Sequence, residues 1–443
     1  MKPSFFIKSL GCKVNQYDGA VLRRLLKTAS WQEIELIKEA KSNLTTSRNQ
    51  PTVVIINTCS VTKKAIVKDR QLINEYQRLF PESNLVIMGC WPQTDKKISW
   101  FFKNKSSVVN HNKIIFWGVG NLSVLVKNLV KLFGGQAQNI TSTKKGTAGL
   151  VDANDLLAPT DRSRYFLKVG DGCNQFCAYC LIPFARGPLN SRLSHDIITE
   201  AKLAIKAGYR EIVLSGIHLG CYGQDLSQQS KSRINLTRLI KQLLSLENLG
   251  RLRLSSIEIN EIDEGLIRLL KSNNKLCRHL HISLQSGSDK ILKLMKRPYQ
   301  IAIFKNKIKK IKKHIPEIAI STDIIVGFPQ ETEIDFKNSC ALAKELGFSK
   351  IHVFPFSAHE QTVAFKLDGH LKPSVIKQRA LKLRQLSLKL ETNYQNKIKK
   401  IYQHQPLFLI KEQSSRRGFW RVKTEFGFDL FLKPNIAKKH IFV

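Results

Sequence analysis

Three short apolar runs near the N-terminus each lead at once into a cysteine. Ser4–Leu10 runs into Gly11-Cys12, Val53–Asn57 (VVIIN) into Thr58-Cys59, and Leu85–Met88 (LVIM) into Gly89-Cys90. Continuous apolar runs this short read as strands buried on both faces. Helical stretches separate them, one starting near Gln16 and another spanning Lys64–Phe80. Buried strands alternating with helices fold as a doubly wound parallel sheet, and such sheets keep their functional groups in the crevice beyond the strand C-termini. One cysteine there would read as an ordinary core residue. Three in the same position of three βα units are expected to converge on a shared ligand.

The run over 134–163 is rich in Gly, Ser, Thr and Asn and reads as a linker between domains. Beyond it lie six strand-like runs: Tyr165–Val169, Glu211–Leu214, Arg251–Ser256, His279–Leu284, Ala319–Val326 and Lys350–Pro355. Helical periodicity falls between them, as in Ile197–Ala207 and Asn235–Leu246. Six such units predict an open, partial (βα)6 barrel. Residues 375–395 read as a long basic amphipathic helix, and from 404 onward the tail alternates and turns like a small antiparallel β module. The fold class is therefore α/β. Its expected divisions are a doubly wound domain over 1–145, a linker over 146–163, the barrel over 164–375, and the basic helix with its β module over 376–443.

Composition excludes several classes and suggests a partner. No apolar stretch approaches the roughly 18 residues of a membrane-spanning helix, and Lys8 breaks the Phe5-Phe6-Ile7 run before it could serve as a signal-peptide core. A cytoplasmic location with no membrane partner is expected. The formal charge over 443 residues is +38. It divides as +15 over 1–150, +11 over 151–375 and +12 over the short tail 376–443. Such an excess suggests a polyanion, nucleic acid before an anionic membrane surface. The bland alternative is a lineage-wide bias toward Lys and Asn.

Of the nine cysteines, three form Cys173-Asn174-Gln175-Phe176-Cys177-Ala178-Tyr179-Cys180, a C-x3-C-x2-C cluster directly after the first barrel strand. Structural zinc favours four ligands in paired C-x2-C blocks, and no second pair exists. Three thiolates on one loop suit three irons of a 4Fe–4S cluster, leaving the fourth open. The C-terminal end of barrel strands is also where such folds keep their chemistry.

This loop in this place resembles the radical S-adenosylmethionine (SAM) superfamily. The wider chain resembles its methylthiotransferases through LGCKVNQYD (10–18), INTCSV (56–61), MGCWPQ (88–93) and DGCNQFCAYCLIPFARGP (171–188). Further matches are LSGIHLGCYG (214–223), LSSIE (254–258), HLHISLQSGSDKILKLMKR (279–297) and TDIIVGFP (322–329). The likeness runs from residue 4 to about 375. It implies an N-terminal cluster domain, a radical-SAM barrel and a C-terminal TRAM module, with two 4Fe–4S clusters and SAM as cofactors. Cys173, Cys177 and Cys180 would hold the SAM cluster, and Cys12, Cys59 and Cys90 the second. Cleavage of SAM would yield a 5′-deoxyadenosyl radical. The sequence around Cys12 is most similar to the branch acting on N6-threonylcarbamoyladenosine beside the tRNA anticodon. That implies the anticodon stem-loop as partner and a flavodoxin or ferredoxin as electron donor.

For SAM itself, the resemblance points to the Tyr179 backbone, to Ser215-Gly216 at the second strand end and to Val326 at the fifth. Glu258, Gln285 and Ser286 offer polar groups at the third and fourth strand ends. Phe176 would either shield the cluster or meet the ligand, and Arg186 is a candidate contact for an anion of SAM or a phosphate. Cys221, Cys277 and Cys340 lack ligand spacing; Cys340 reads as core, and Cys221 lies in a Gly-rich loop near the SAM end. His281 reads as a satisfied barrel residue. Ile259, Gln330, His359, Gln361 and Gly170 depart from the family pattern without touching the six cysteines. The tail is a poor, shortened match to TRAM, supported by position and basicity. Alternatives are a methylthiotransferase for isopentenyladenosine or for a ribosomal-protein aspartate, a radical-SAM enzyme with another outcome, and a non-catalytic basic RNA-binding protein.

Overall fold

The computed structural model describes residues 2–34, 50–95, 113–136, 164–227, 234–402, 407–411, 419–433 and 441–442. The expected linker over 146–163 lies outside them. The chain forms two compact units. One comprises Met1–Ala158, Asp171–Asn174 and Leu181–Leu203; the other comprises Pro159–Gly170, Gln175–Cys180 and Ala204–Val443.

The first unit is built on a five-stranded sheet of β1 (Ser4–Ser9), β2 (Gln32–Glu33), β3 (Val53–Thr58), β4 (Asn84–Gly89) and β5 (Ile114–Trp117). The strands are all parallel and ordered β2-β1-β3-β4-β5. Side-chain alternation explains its two apolar faces. Phe5, Ile7, Val53, Ile55, Val86 and Met88 pack with the buried residues of helices Lys13–Thr28 and Leu122–Phe133. Phe6, Val54, Ile56, Leu85 and Ile87 pack on the opposite face with Ile73, Tyr76 and Phe80. The last three belong to helix Lys63–Leu79 and its C-cap, and Thr62 caps that helix by accepting from the Ala65 amide at 3.1 Å. Because β2 lies beyond β1 while β3, β4 and β5 run the other way, the winding reverses between β1 and β3. That reversal opens a crevice at their C-terminal ends.

The second unit carries six consecutive parallel barrel strands. They are Arg164–Asp171, Glu211–Gly216, Arg251–Leu254 continued by Ser256–Ile257, His279–Ile282, Ala319–Val326 and Lys350–Pro355. The third strand is broken at Ser255: its first half pairs with the second strand and its second half with the fourth. Sequence alone reads it as continuous, because a break in pairing leaves the apolar pattern intact. Helix Pro373–Ile401 extends past the expected bounds at both ends and covers the outer edge of the sixth strand. There Ser387 Oγ accepts from the Ile351 amide at 2.9 Å and donates to its carbonyl at 3.0 Å.

The tail forms a small sheet of Phe408–Lys411, Trp420–Thr424, Asp429–Leu432 and Ile441–Phe442. The first three pair antiparallel, as expected, but Ile441–Phe442 adds a parallel partner to Phe408–Lys411. A charged cluster at the start of the barrel strands ties this module down. Glu211 is fully buried and accepts from Arg253 Nε at 2.9 Å and from Arg251 Nε. The same guanidinium groups reach carbonyls of the module: Arg251 to Lys423 at 2.9 Å, and Arg253 to Thr424 at 2.8 Å and Glu425 at 3.0 Å. Burial by itself would raise the Glu211 pKa, but Arg253, Arg251 and Arg164 hold it at about 2. Cys277 is buried beside this cluster, whereas Cys340 on helix Glu333–Leu346 is half-buried rather than core. His281 is satisfied as expected, by Ser321 Oγ at 2.9 Å and Asp323 Oδ2 at 2.9 Å.

Candidate active site

Three adjacent parallel strands of the first unit deliver Cys12, Cys59 and Cys90 to one crevice. Cys12 caps helix Lys13–Thr28, Cys59 follows β3, and Cys90 opens the short helix Cys90–Thr94. The residues before Cys12 and Cys90 are glycines with φ of +87° and +96°, a conformation L-residues avoid. A Cβ on Gly11 would lie 2.8 Å from Cys59 Cβ and 3.0 Å from its sulfur. Only glycine lets the two cysteine-bearing turns approach so closely.

Asparagine and threonine side chains lace the strand ends together. Asn15 donates to Leu10 O at 3.0 Å and Thr58 O at 2.8 Å, and Asn57 donates to Asn15 O at 2.7 Å. The Thr58 hydroxyl donates to Met88 O at 2.6 Å. Helix Ile182–Arg186, part of the same unit, packs against Cys90–Thr94 and brings Arg186 into the crevice. Its Nε lies 3.4 Å from Cys90 Sγ, and Nη1 forks onto Asp171 at 2.8 and 2.9 Å. Its Nη2 meets Asp18 at 3.1 Å and also Asn15 Oδ1. Arg186 is thus a buried residue rather than a surface one, and in the structure its guanidinium meets carboxylates, an amide oxygen and a cysteine sulfur. The sequence signal was the Arg of LIPFARGP, but only packing shows which groups it meets.

Burial pushes the Cys59 thiol up to about 12, and the nearby Cys90 and Cys12 sulfurs add to the rise. Burial raises Cys90 as well, opposed by Arg186. Asp69 accepts the Cys59 amide at 3.0 Å, and desolvation lifts its carboxyl to about 7. Thiols this desolvated become thiolates when a metal centre replaces their protons. The donor set is three soft sulfurs beside an arginine. The sulfurs of Cys90 and Cys12 lie near enough to Cys59 to raise its pKa further. Three soft thiol donors converging on one crevice fit an iron–sulfur group.

The Cys173–Cys180 loop leaves the first barrel strand. Within the first unit, the Cys173 amide donates to Gly187 O at 3.0 Å. Within the second, the Cys180 amide donates to Cys177 O and the Ala178 amide to Met295 O, both at 3.0 Å. Arg297, unforeseen from the sequence although it ends the run LKLMKR, is buried with Nη1 3.3 Å from Cys177 Sγ. Its Nη2 pairs with Glu258, and its Cζ lies 5.1 Å from the centroid of the Tyr299 ring. Tyr299 in turn donates to Ser283 O at 2.9 Å and Leu284 O at 3.0 Å.

The residues expected near SAM fall at the C-terminal ends of the barrel strands. Tyr179 is partly buried against the apolar cluster of Ala178, Met295, Ile325 and Phe328, at the end of the fifth strand that Val326 closes. Phe176, by contrast, is 59% exposed, so it shields little. Gln285 holds φ at +66°, donates its amide to Asp323 O at 2.8 Å and accepts from the Ile325 amide at 2.9 Å. Ser286 is fully buried, with Oγ accepting from the Ser288 amide at 3.3 Å. Ser215 is buried and donates to Val213 O at 3.4 Å, followed by Gly216 at the strand end. Glu258 is bound to Arg297, so its carboxylate links the third strand end to Cys177.

A six-strand parallel barrel with this cysteine loop defines a radical-SAM protein. Residues 167–343 match the radical SAM superfamily, and residues 4–109 match a family described as uncharacterized protein family UPF0004. The chain is 33% identical over 414 residues to the threonylcarbamoyladenosine tRNA methylthiotransferase MtaB of Bacillus subtilis, covering 92% of this chain and 84% of that one. MtaB of Aquifex aeolicus is 32% identical, with 90% and 91% covered. A tRNA-2-methylthio-N(6)-dimethylallyladenosine synthase of Clostridium tetani is also 32% identical, with 90% and 85% covered. Among solved structures, the radical SAM methyltransferase TsrM of Kitasatospora setae, with cobalamin and a [4Fe-4S] cluster bound, shares the fold at a TM-score of 0.54. It is 14% identical, with 80% of this chain and 75% of that one covered. The chain belongs to the radical-SAM tRNA methylthiotransferase family. It is an enzyme of sulfur-group transfer, and a 4Fe–4S cluster and SAM are its cofactors. No helix among the described residues is long and apolar enough to cross a membrane.

Proposed function

We propose that this enzyme converts N6-threonylcarbamoyladenosine beside the tRNA anticodon to its 2-methylthio derivative. The observation that carries the reading is the meeting of Cys12, Cys59 and Cys90 beside Arg186, in a chain that also presents C-x3-C-x2-C at a barrel strand end. The aromatic C2–H offers no acidic proton for base catalysis, so a radical route suits the demand. Cys173, Cys177 and Cys180 would hold the cluster that serves SAM cleavage, and Cys12, Cys59 and Cys90 would hold a second one. When bound, these groups supply the electron that cleaves SAM and the sulfur that is methylated and transferred.

The chain's own residues set the environment for that chemistry. Arg297 donates an N–H to the Cys177 sulfur, and Arg186 donates one to Cys90. Hydrogen bonds to cluster sulfurs disperse negative charge and raise the reduction potential. Glu258, with Asp171 and Asp18, keeps the two guanidinium groups aimed at those sulfurs. Tyr179, Ser215, Gly216, Gln285, Ser286 and Val326 line the strand ends where SAM is held. A cytoplasmic flavodoxin or ferredoxin provides electrons, and the basic surface seats the anticodon stem-loop.

The test is mass spectrometry of tRNA nucleosides from cells with and without the gene. The 2-methylthio derivative of threonylcarbamoyladenosine should vanish in the deletion and return on complementation. Its persistence, or selective loss of the methylthiolated dimethylallyladenosine instead, would assign a different substrate.

A further inference from the structure

We propose that His218, Cys221 and Glu261 form a binding site for a divalent transition-metal ion of the zinc class, built from none of the six cysteines assigned to clusters. The loop after the second barrel strand supplies His218 and Cys221, the latter in the turn Leu219–Cys221. The turn Ile259–Glu261 after the third strand supplies Glu261. Cys221 Sγ lies 3.5 Å from His218 Nε2 and 3.2 Å from Glu261 Oε1, and His218 Nε2 contacts the same Oε1.

Metal–sulfur bonds of about 2.3 Å and metal–nitrogen or –oxygen bonds of about 2.0–2.1 Å, at tetrahedral angles, set ligand edges of roughly 3.3–3.6 Å. Both sulfur edges are near that range. The His218–Glu261 edge is tighter, as in a direct hydrogen bond, and an ion would replace that bond by opening this one edge through the His218 ring while Glu261 stays anchored through Oε2. One sulfur, one nitrogen and one oxygen suit a borderline ion, whereas calcium and magnesium require oxygen-rich shells. Three protein ligands leave a fourth position for water.

Two further features show that the backbone is arranged around this carboxylate. A Cβ on Gly220 would lie 1.8 Å from Glu261 Oε2, so the cysteine turn reaches Glu261 only because residue 220 is glycine. The same Oε2 accepts the Glu258 amide at 3.0 Å, which turns Oε1 toward His218 and Cys221. His218 and Glu261 expose only 12% and 10% of their side chains, and Cys221 is half-buried, so the group is sheltered yet reachable. Binding forms three protein–metal bonds and releases the Cys221 thiol proton to water.

The experiment uses the full-length, anaerobically cluster-reconstituted enzyme, given one equivalent of Zn2+ and examined by zinc-edge X-ray absorption. The zinc edge is separate from that of iron, so the clusters do not interfere. One sulfur at about 2.3 Å, with the remaining shell at about 2.0–2.1 Å, is expected. Cys221→Ser should remove the sulfur shell and weaken zinc retention by at least roughly tenfold at unchanged iron content. Gly220→Ala, which keeps all three ligands but displaces Glu261, should also weaken retention. Two or more sulfurs per zinc would place the ion on cluster cysteines and overturn the proposal. So would zinc retention that both variants leave unchanged. Neither readout depends on the tRNA product, so it fails or succeeds separately from the substrate assignment.

Discussion

The two cysteine trios reach a similar chemical environment by opposite routes. One is delivered by a single loop, with its spacing set along the chain. The other is assembled from three strand ends, and its members are far apart in sequence. Yet each has a buried arginine within hydrogen-bond reach of one sulfur: Arg297 at Cys177, 3.3 Å, and Arg186 at Cys90, 3.4 Å. The arginines differ in their counter-charges. Arg297 faces Glu258 and Tyr299, whereas Arg186 is gripped by Asp171 and Asp18 together. Arg297 joins Cys177 to Glu258, whereas Arg186 joins three separate elements of its unit through Cys90, Asp18 and Asp171.

The strongest way to break this comparison is to remove one sulfur from each trio. Cys177→Ala should abolish both 5′-deoxyadenosine and methylthiolated product, while Cys59→Ala should abolish only the product. Iron should fall by about half in each. Chromatographic assay of both products decides it, and loss of 5′-deoxyadenosine in Cys59→Ala would show that the trios do not act separately.

Removing the arginines sharpens the contrast in stability. Arg186→Met strands two carboxylates, Asp18 and Asp171, with side chains 11% and 20% exposed, and should cost roughly 3–5 kcal/mol in anaerobic urea unfolding because both lose their partner at once. Arg297→Met strands only Glu258, whose side chain is 21% exposed, and should cost about 1–3 kcal/mol. Equal costs would remove the structural distinction between them.

Glu211, at the opposite strand ends, provides a control that should touch neither trio. Its folded pKa of about 2 lies below the unfolded carboxylate value, so its contribution is full above roughly pH 4.5 and is lost as pH falls toward 2. Glu211→Gln should therefore cost about 3 kcal/mol at pH 7 and progressively less between pH 4.5 and 2, with iron content unchanged. A pH-independent difference would mean that the Arg251 and Arg253 charges do not govern it. The smallest effect is expected at the basic helix. Lys399→Ala or Lys400→Ala should weaken tRNA binding a few-fold and reduce the salt slope by about one for each phosphate no longer neutralised. An unchanged slope would return that charge to compositional bias.

Much of this was legible in the residues. Runs such as VVIIN and LVIM mark strands because only a two-sided core accepts them, and their parallel alternation with helices places Cys12, Cys59 and Cys90 at one crevice. The break at Ser255 and the parallel strand Ile441–Phe442 were not legible, since pairing partners leave no trace in local pattern. Arg186 showed that a basic residue near a glycine turn reveals its charge but not its counter-ions. Arg297 lay unmarked in LKLMKR because a helical run of lysines and an arginine looks solvated until one side chain is seen to be buried.

The sequence by itself determined the class of chemistry: periodicity dictates where strands and helices fall, and three closely spaced thiols on one loop can belong to few cofactors. Only the tertiary structure decided which charges stand beside which sulfurs and that His218, Cys221 and Glu261 meet. The physical reason is one of range. Periodicity and loop spacing act over a few residues, whereas burying a charge requires a partner that the chain can supply from anywhere.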